Sequence, residues 1–188
     1  MLKCLPILVA TLIPLAAQNR PIDIERSTIT IHVGKAGLLS AAGHEHWVNA
    51  PISSGIIDDS VQRVEFAVET AKMRVKPDPK VDPKTEAQIQ KDMEDMTLET
   101  ARYREIAFQS SHIEKASEAE WRVDGVLSLH GVSKPVRLNV RREGDAYTGR
   151  TLLKQTDFGI KPVSVAGGTI KVKNEIEIEF RIYTRSLK

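Results

Sequence analysis

The sequence predicts an all-β protein: antiparallel strands that curl into an extended barrel, with one amphipathic helix near residues 83–98. Three observations predict it. Apolar and polar residues alternate with a period of two in several segments, turn residues separate these segments, and one stretch has helical periodicity instead. A sheet with a single apolar face and many strands can bury that face by curling, which also removes its edges.

The clearest alternation runs from Ile170 to Ile182, where apolar side chains share one parity and lysines, glutamates and Arg181 share the other. This pattern predicts one long strand with a dry face and a wet face. Asn174 interrupts the apolar parity, which indicates a kink, a bulge or an internal polar contact.

Shorter segments alternate in the same way and are separated by residues typical of turns. The apolar positions are Ile29, Ile31 and Val33; Val64, Phe66 and Val68; Ile106 and Phe108; Val123, Leu127 and Leu129; and Val136, Leu138 and Val140. The turn signals are Asp58-Asp59, Gly131 with Pro135, Glu143-Gly144-Asp145 and Gly167-Gly168.

The helical stretch follows three prolines. Asp82 before Pro83 is a plausible helix start, as is the capping-box spacing of Thr85 and Gln88. Met93 and Met96 fall on one helical face, which predicts a helix that covers an end of the barrel. Two interpretations of the methionine side chains remain open: they pack in the hydrophobic core, or they form adaptable contacts with a ligand.

Length and composition favour one exported domain. The chain has 188 residues, 28% of them charged, and a net charge of +2 without a basic run, so nothing indicates nucleic-acid binding. Residues 1–17 have the proportions of a signal peptide, with an apolar stretch too short to span a bilayer. The expected mature domain is therefore 18–188, periplasmic or secreted, with no transmembrane segment. It lacks a thiol, because the single cysteine is Cys4.

Four segments together resemble the YceI-like family of lipocalin-like, polyisoprenoid-binding exported proteins. They are VGKAGLLSAAGHEH, ETARYREIAFQSSHIE, VDGVLSLHGVSKPVRLNV and LLKQTDFGI, and the resemblance extends from about Ile22 to Ile182. The GHEH motif resembles a histidine-containing subgroup of the family. The resemblance implies a lipocalin-like barrel with a helix near one end and a long hydrophobic cavity.

The parity of each strand gives the inward side chains, and the resemblance implies which of them touch a ligand. The expected partner is a hydrophobic small molecule: an isoprenoid, a quinone or a fatty amphiphile. The candidate lining is Phe66, Val68, Phe108, Leu127, Leu129, Ile176, Ile178 and Phe180, with Met93 and Met96 from the helix.

The stretch GHEHWVNAP allows three interpretations. If it is a strand, we expect His44, His46 and Val48 to face inward, because Glu45 on the other face requires water. Two imidazoles can bind a metal, but zinc requires a third protein ligand that the neighbouring sequence does not supply, so no metal or cofactor is predicted. The alternatives are a polar contact for the head group of an amphiphile and histidines with a structural role.

Catalysis has little support in the sequence. Ser128, His130 and Asp124 have the side chains of a Ser-His-Asp catalytic triad, but the sequence has no G-x-S-x-G elbow. The alternation also places the side chains of Ser128 and His130 on the outer face of their strand. We expect a protein that is not an enzyme. The other functional hypotheses are a filled barrel that acts through a surface partner or membrane, and a histidine-based metal or haem binder. The sequence does not decide between a monomer and a homodimer.

Overall fold

The computed structural model describes residues 19–36, 45–58, 62–165 and 170–185. The predicted signal peptide, His44 and the Gly167-Gly168 turn lie outside these ranges. The strands are β1 (Asn19–Pro21), β2 (Thr28–Val33), β3 (Lys35–Ala36), β4 (His46–Asn49), β5 (Ile52–Asp58), β6 (Arg63–Glu69), β7 (Arg74–Val75), β8 (Glu105–Ser117), β9 (Glu120–Leu129), β10 (Val132–Glu143), β11 (Ala146–Lys154), β12 (Ser164–Val165), β13 (Ile170–Val172) and β14 (Glu175–Tyr183).

Eleven strands form one antiparallel sheet in the order β1-β5-β6-β8-β9-β10-β11-β14-β2-β4-β7. The sheet closes on itself through β4 and β5, which lie near opposite ends of this order. Only Ala50 and Pro51 separate these two strands, so they act as one bent strand. Its first half pairs with β2 and its second half pairs with β6. The predicted antiparallel barrel with one helix is confirmed.

The strand β1 completes the closure beside β14. Ile22 forms a bridge with Thr184, and its amide donates to the carbonyl of Gly55 at 2.9 Å. The strands β1 and β2 therefore continue along the same side of β14, with a turn of residues 23–27 between them. The first and last described strands of the chain are neighbours in the wall.

Two hairpin turns follow from glycine placement. His130 and Gly131 join β9 to β10 with φ of 52° and 73°, a pair of left-handed residues that matches the twist of a two-residue hairpin. Gly144, at φ 63°, turns β10 into β11. Both glycines turn the chain where the sequence predicted, but Pro135 lies inside β10, opposite Val126, and not in the turn.

The single long strand predicted from Ile170 to Ile182 is wrong in one respect, because the chain leaves one sheet and enters another. The strand β13 belongs to a small sheet with β3 and β12, whereas β14 belongs to the barrel. Asn174 explains the break: its side chain accepts from the amide of Thr156 at 3.0 Å and donates to the hydroxyl of the same residue at 2.9 Å. A polar contact has replaced ladder pairing at this position.

Helix α1 (Pro83–Asp92) begins where the sequence indicated. The Asp82 carboxylate accepts from the amides of Lys84 and Thr85 at 3.1 and 3.0 Å, and Pro83 occupies the first helical position. A π-helical turn, Met93–Thr97, extends the helix and leads towards β8. In the described part of the chain, no helix has the length and apolar character needed to cross a membrane.

Candidate functional site: an apolar cavity in the barrel

The barrel encloses a cavity of about 290 Å³, lined almost entirely by the apolar residues of the inward face. Its wall includes ten of the residues singled out from the sequence: Val48, Phe66, Val68, Met93, Phe108, Leu127, Leu129, Ile176, Ile178 and Phe180. Strand alternation places nine of them, because side chains two apart on a strand share a face. Met93 comes from the π-helical turn instead.

The interior is hollow rather than filled. Phe66, Leu127 and Phe180 point inward, yet each is only half-buried, whereas Phe108 beside them is 2% exposed. A side chain in a filled core contacts neighbours on every side, and these three face open space instead. The structure thus differs from a barrel whose interior is packed solid.

Two inward-facing glycines make room for aromatic rings. A β-carbon at Gly149 would lie 2.4 Å from the ring of Phe180, and one at Gly125 would lie 2.5 Å from the ring of Phe108. Each phenylalanine therefore lies flat against the wall over a neighbouring strand. Because the rings occupy the space of absent side chains, the centre of the barrel stays open.

Apart from Thr151 of β11, the polar lining residues lie at one end of the cavity. Lys154, Gln155 and Thr97 line the end near the helix, and Lys154 is the exposed member of the lining. Gln155 is 6% exposed, and its side-chain amide donates to the carbonyl of Lys173 at 2.8 Å. This end, which we call the cavity mouth, is where lining and protein surface meet.

The opposite end is lined by two aromatic side chains. Trp121 and Tyr147 meet edge to face, with ring centroids 5.7 Å apart. The guanidinium of Arg20 donates to the Tyr147 hydroxyl at 3.0 Å and places its charge 6.0 Å from the ring centroid. The cavity therefore has an aromatic end and a polar end.

The two methionines of the helical stretch have different environments. Met93 lines the cavity and packs against the core, whereas Met96 is 67% exposed and is not part of the lining. The sequence placed both on one α-helical face. The π-helical turn changes the number of residues per turn, so the spacing of three no longer brings them to the same side.

The described part of GHEHWVNAP is strand β4. Val48 is 5% exposed and lines the cavity, and His46 shares its parity but is half-buried and absent from the lining. Trp47 projects from the outer face and stacks on His32, with ring centroids 4.4 Å apart. The imidazole of His32 lies 3.2 Å from the carboxylate of Glu45. His44 lies outside the described residues.

His130, expected on the surface, is instead enclosed beside the mouth. Only 11% of its side chain is exposed, and its ring centroid is 4.1 Å from that of Tyr103. Its Nε2 lies 3.5 Å from the Glu99 carboxylate, without the geometry of a hydrogen bond. Strand parity misplaced His130 because the residue belongs to the hairpin turn, where parity no longer applies.

The structure does not assemble a hydrolytic set from Ser128, Asp124 and His130. Ser128 shares a 2.7 Å hydrogen bond with Ser133, and Asp124 is held by two bonds from Arg137, at 2.6 and 3.0 Å. That guanidinium lowers the pKa of Asp124. Across residues 19–36, 45–58, 62–165 and 170–185, no three His, Cys, Asp or Glu side chains are grouped to hold a metal.

Several lining residues were not anticipated. Tyr147, Thr151 and Leu153 belong to β11, whose inward face carries Gly149 and a threonine and so lacks a clean apolar alternation. Phe158 and Gln155 belong to a short 3₁₀ helix, Gln155–Phe158, that follows β11. The nearest signal in the sequence was the segment LLKQTDFGI, which carried part of the family resemblance without indicating an orientation.

Comparison with known proteins gives both a family and structural neighbours. Residues 21–184 match the model of the YceI-like domain. A UPF0312 protein of Shewanella baltica is 30% identical over 74 residues, which are 34% of this chain and 39% of that protein. The chain thus aligns with well under half the length of these curated relatives.

Two solved structures share the fold. A polyisoprenoid binding domain from Saccharophagus degradans, implicated in plant cell wall breakdown, superposes with a TM-score of 0.64 at 14% identity, covering 91% of this chain and 99% of that chain. Burkholderia cenocepacia BcnA superposes with a TM-score of 0.57 at 15% identity, covering 88% of this chain and 99% of that chain. With a family match over nearly all the described residues and a barrel of the same architecture, the chain belongs to the YceI-like domain family.

Proposed function

We propose that this protein is an exported, non-enzymatic lipid-binding protein that encloses an isoprenoid, a quinone or a similar amphiphile in the barrel. The observation that carries the proposal is the hollow apolar cavity with Lys154, Gln155 and Thr97 gathered at one end. Small-molecule sites are typically apolar concavities in which a few polar groups fix the orientation of the ligand.

The dimensions favour a slender ligand. At about 290 Å³, the cavity is near the lower limit of the roughly 300–1,000 Å³ typical of small-molecule sites. An extended hydrocarbon tail would run towards Trp121 and Tyr147, and the head group would lie beside Lys154 and Gln155. Burial of the tail would supply the affinity, at about 0.8 kcal/mol for each methylene removed from water.

The comparisons support the class of ligand. A domain of the same fold from Saccharophagus degradans is described as polyisoprenoid binding, and the shared architecture makes the same class of ligand reasonable here. The proposal of export rests on the sequence of residues 1–17. The space that the side chains leave inside the barrel disfavours the hypothesis of a filled barrel that acts only through its surface.

The test is native mass spectrometry of the mature protein, purified by mild methods from its own host. We expect a mass increment of lipid size, which fragmentation would identify. Leu138→Trp would fill the cavity from β10 and should abolish the increment, because Leu138 lines the cavity. Asn139→Trp is the matched control, since Asn139 is exposed on the outer face of the same strand.

Three results would count against the proposal. The bare polypeptide mass would contradict a resident lipid, and equal lipid retention by both tryptophan variants would place the ligand outside the barrel. A metal-sized increment that His46→Ala removes would favour the histidine-based alternative instead.

A further inference from the structure

The small sheet beside the cavity mouth is uniformly basic. Its strands β3, β12 and β13 and the described residues that join them to the barrel (34–36, 160–165 and 170–173) contain Lys35, Lys161, Lys171 and Lys173 and no aspartate or glutamate. The side chains of Lys161, Lys171 and Lys173 are exposed. The charge is therefore presented to solvent.

Backbone contacts fix this sheet at the mouth. The amide of Lys173 donates to the carbonyl of Gly34 at 2.7 Å, and Gly34 directly follows Val33, which lines the cavity. Lys161 directly follows Ile160, a buried lining residue. Lys154, the exposed lining residue, adds a further cation at the rim, so we define the basic mouth face as Lys154, Lys161, Lys171 and Lys173.

The basic mouth face differs in its ion pairing from three arginines of the barrel wall. On the barrel wall, Arg137, Arg150 and Arg181 each contact a carboxylate: those of Asp124, Glu177 and Glu143 respectively. Among the described residues, none of the four lysines of the basic mouth face lies within 4.0 Å of a carboxylate. Asp157 and Glu175 are the nearest acidic residues along the chain, and Glu175 is opposite Lys154 in the β11–β14 ladder, but neither forms an ion pair with these lysines. This charge remains available to an external anion.

Exposed apolar side chains lie on the outer wall at the same end of the barrel, and Leu152 is two residues before Lys154 in β11. In the register of the barrel, Trp47 is opposite His32, His32 is opposite Glu177, and Glu177 is opposite Leu152. The two ends of this row, Trp47 and Leu152, are 40% and 57% exposed. The ammonium of Lys76 lies 6.0 Å from the ring centroid of Trp47, and a tryptophan with a neighbouring lysine is typical of proteins that contact the interface between water and lipid head groups.

We propose that the basic mouth face, flanked by Trp47 and Leu152, docks on an anionic membrane surface and holds the cavity mouth against the lipid head groups. Clustered lysines near such a surface each contribute to binding, and exposed apolar residues enter the interfacial region. A nucleic-acid partner fits less well, because the chain has a net charge of only +2 and no basic stripe. The inference concerns the surface and does not depend on which ligand the cavity holds.

The test is flotation of the purified protein with vesicles of phosphatidylcholine alone and of phosphatidylcholine mixed with phosphatidylglycerol. We expect binding only to the mixed vesicles, with weakening as salt is added. The double variant Lys161→Gln/Lys171→Gln should bind roughly 30-fold more weakly, from about fivefold for each lysine removed.

The control has the same net charge but leaves the mouth intact. Lys115→Gln/Arg142→Gln removes two exposed cations from the hairpins at the opposite end of the barrel and should bind as the unaltered protein does. An equal loss in both variants would mean that only net charge matters and would overturn the proposal, as would equal binding to neutral vesicles or no binding at all. If the protein bound a single-stranded oligonucleotide more tightly than the mixed vesicles, and if the Lys161→Gln/Lys171→Gln variant lost that binding to the same extent, the face would be reassigned to nucleic acid. Native mass spectra of both variants should keep any lipid increment, which separates this test from that of the cavity.

Discussion

A single methyl group at Gly149 should destabilise the barrel measurably. The β-carbon of Gly149→Ala would lie 2.4 Å from the ring of Phe180 and 2.5 Å from the backbone carbonyl oxygen of Asn139. The ring can turn into the cavity, because Phe180 is only half-buried. The carbonyl has less freedom, since Asn139 lies within β10, which is paired to strands on both sides.

The expected magnitude follows from these contacts. Overpacking of this kind costs about 1–3 kcal/mol, and the loss of glycine freedom in the unfolded chain returns about 0.4–1 kcal/mol. The net loss in the free energy of unfolding should be about 1–2 kcal/mol. For a chain of this size, the corresponding fall in Tm is about 2–8 °C.

Urea and thermal unfolding followed by circular dichroism would measure the loss. Thr148→Ser, one position along and half-buried on the outer face, keeps the hydroxyl that donates to the Arg141 carbonyl and should change the free energy of unfolding by less than about 0.5 kcal/mol. A double-mutant cycle with Phe180→Leu separates the destabilisation caused by the Phe180 ring from that caused by the Asn139 carbonyl, because only the contribution of the ring is coupled to the Phe180 substitution. An alanine variant as stable as the original protein would refute the close approach, and a strictly additive cycle would show that the ring does not rest on Gly149.

Two further predictions concern polar contacts. Asp82→Ala removes the acceptor for two backbone amides at the start of α1 and should lower both the helix content and the urea midpoint of unfolding. Asp95→Ala, at the exposed π turn, should leave both quantities nearly unchanged. Equal effects of the two substitutions would contradict the capping role of Asp82. Asp124→Asn tests the ion pair with Arg137, which lowers the pKa of Asp124 below 3.8. A carboxylate whose pKa is lower in the folded state than in the unfolded state stabilises the fold at pH values above its unfolded-state pKa, and this contribution is lost as pH falls through its folded-state pKa. The variant should therefore be less stable than the original protein at neutral pH, and the difference in stability should shrink below pH 3.8. A difference that stays constant down to lower pH would show that charge is not its cause.

Alternation predicted the barrel well because burial on one face acts on every second residue. The strands that contain Phe66, Phe108, Leu127 and Ile178 could be identified, and their inward faces assigned, from parity alone. The same signal fails where an inward position is polar or empty. Gly149 and Thr151 weaken it in β11, and that strand was not predicted.

The cavity itself could not be predicted from alternation. Parity states which side chains face inward but not whether they meet, and the hollow depends on rings that lie over Gly125 and Gly149. The polar mouth depends on Gln155 and Lys154, which come after the end of the regular pattern. Local spacing also assumed an α-helix at Met96, where the chain forms a π turn.

The pairing of Ile22 with Thr184 has a consequence for the order of events in folding. The strand β14 fills the position between β11 and β2, so the ring cannot close until nearly the whole chain is available. Contacts between such distant parts of a chain form late, because the loop entropy must be overcome first. Until then the apolar faces of the central hairpins have no enclosed interior. Any molecule held in the cavity must therefore enter a finished barrel or be captured as its last strand docks.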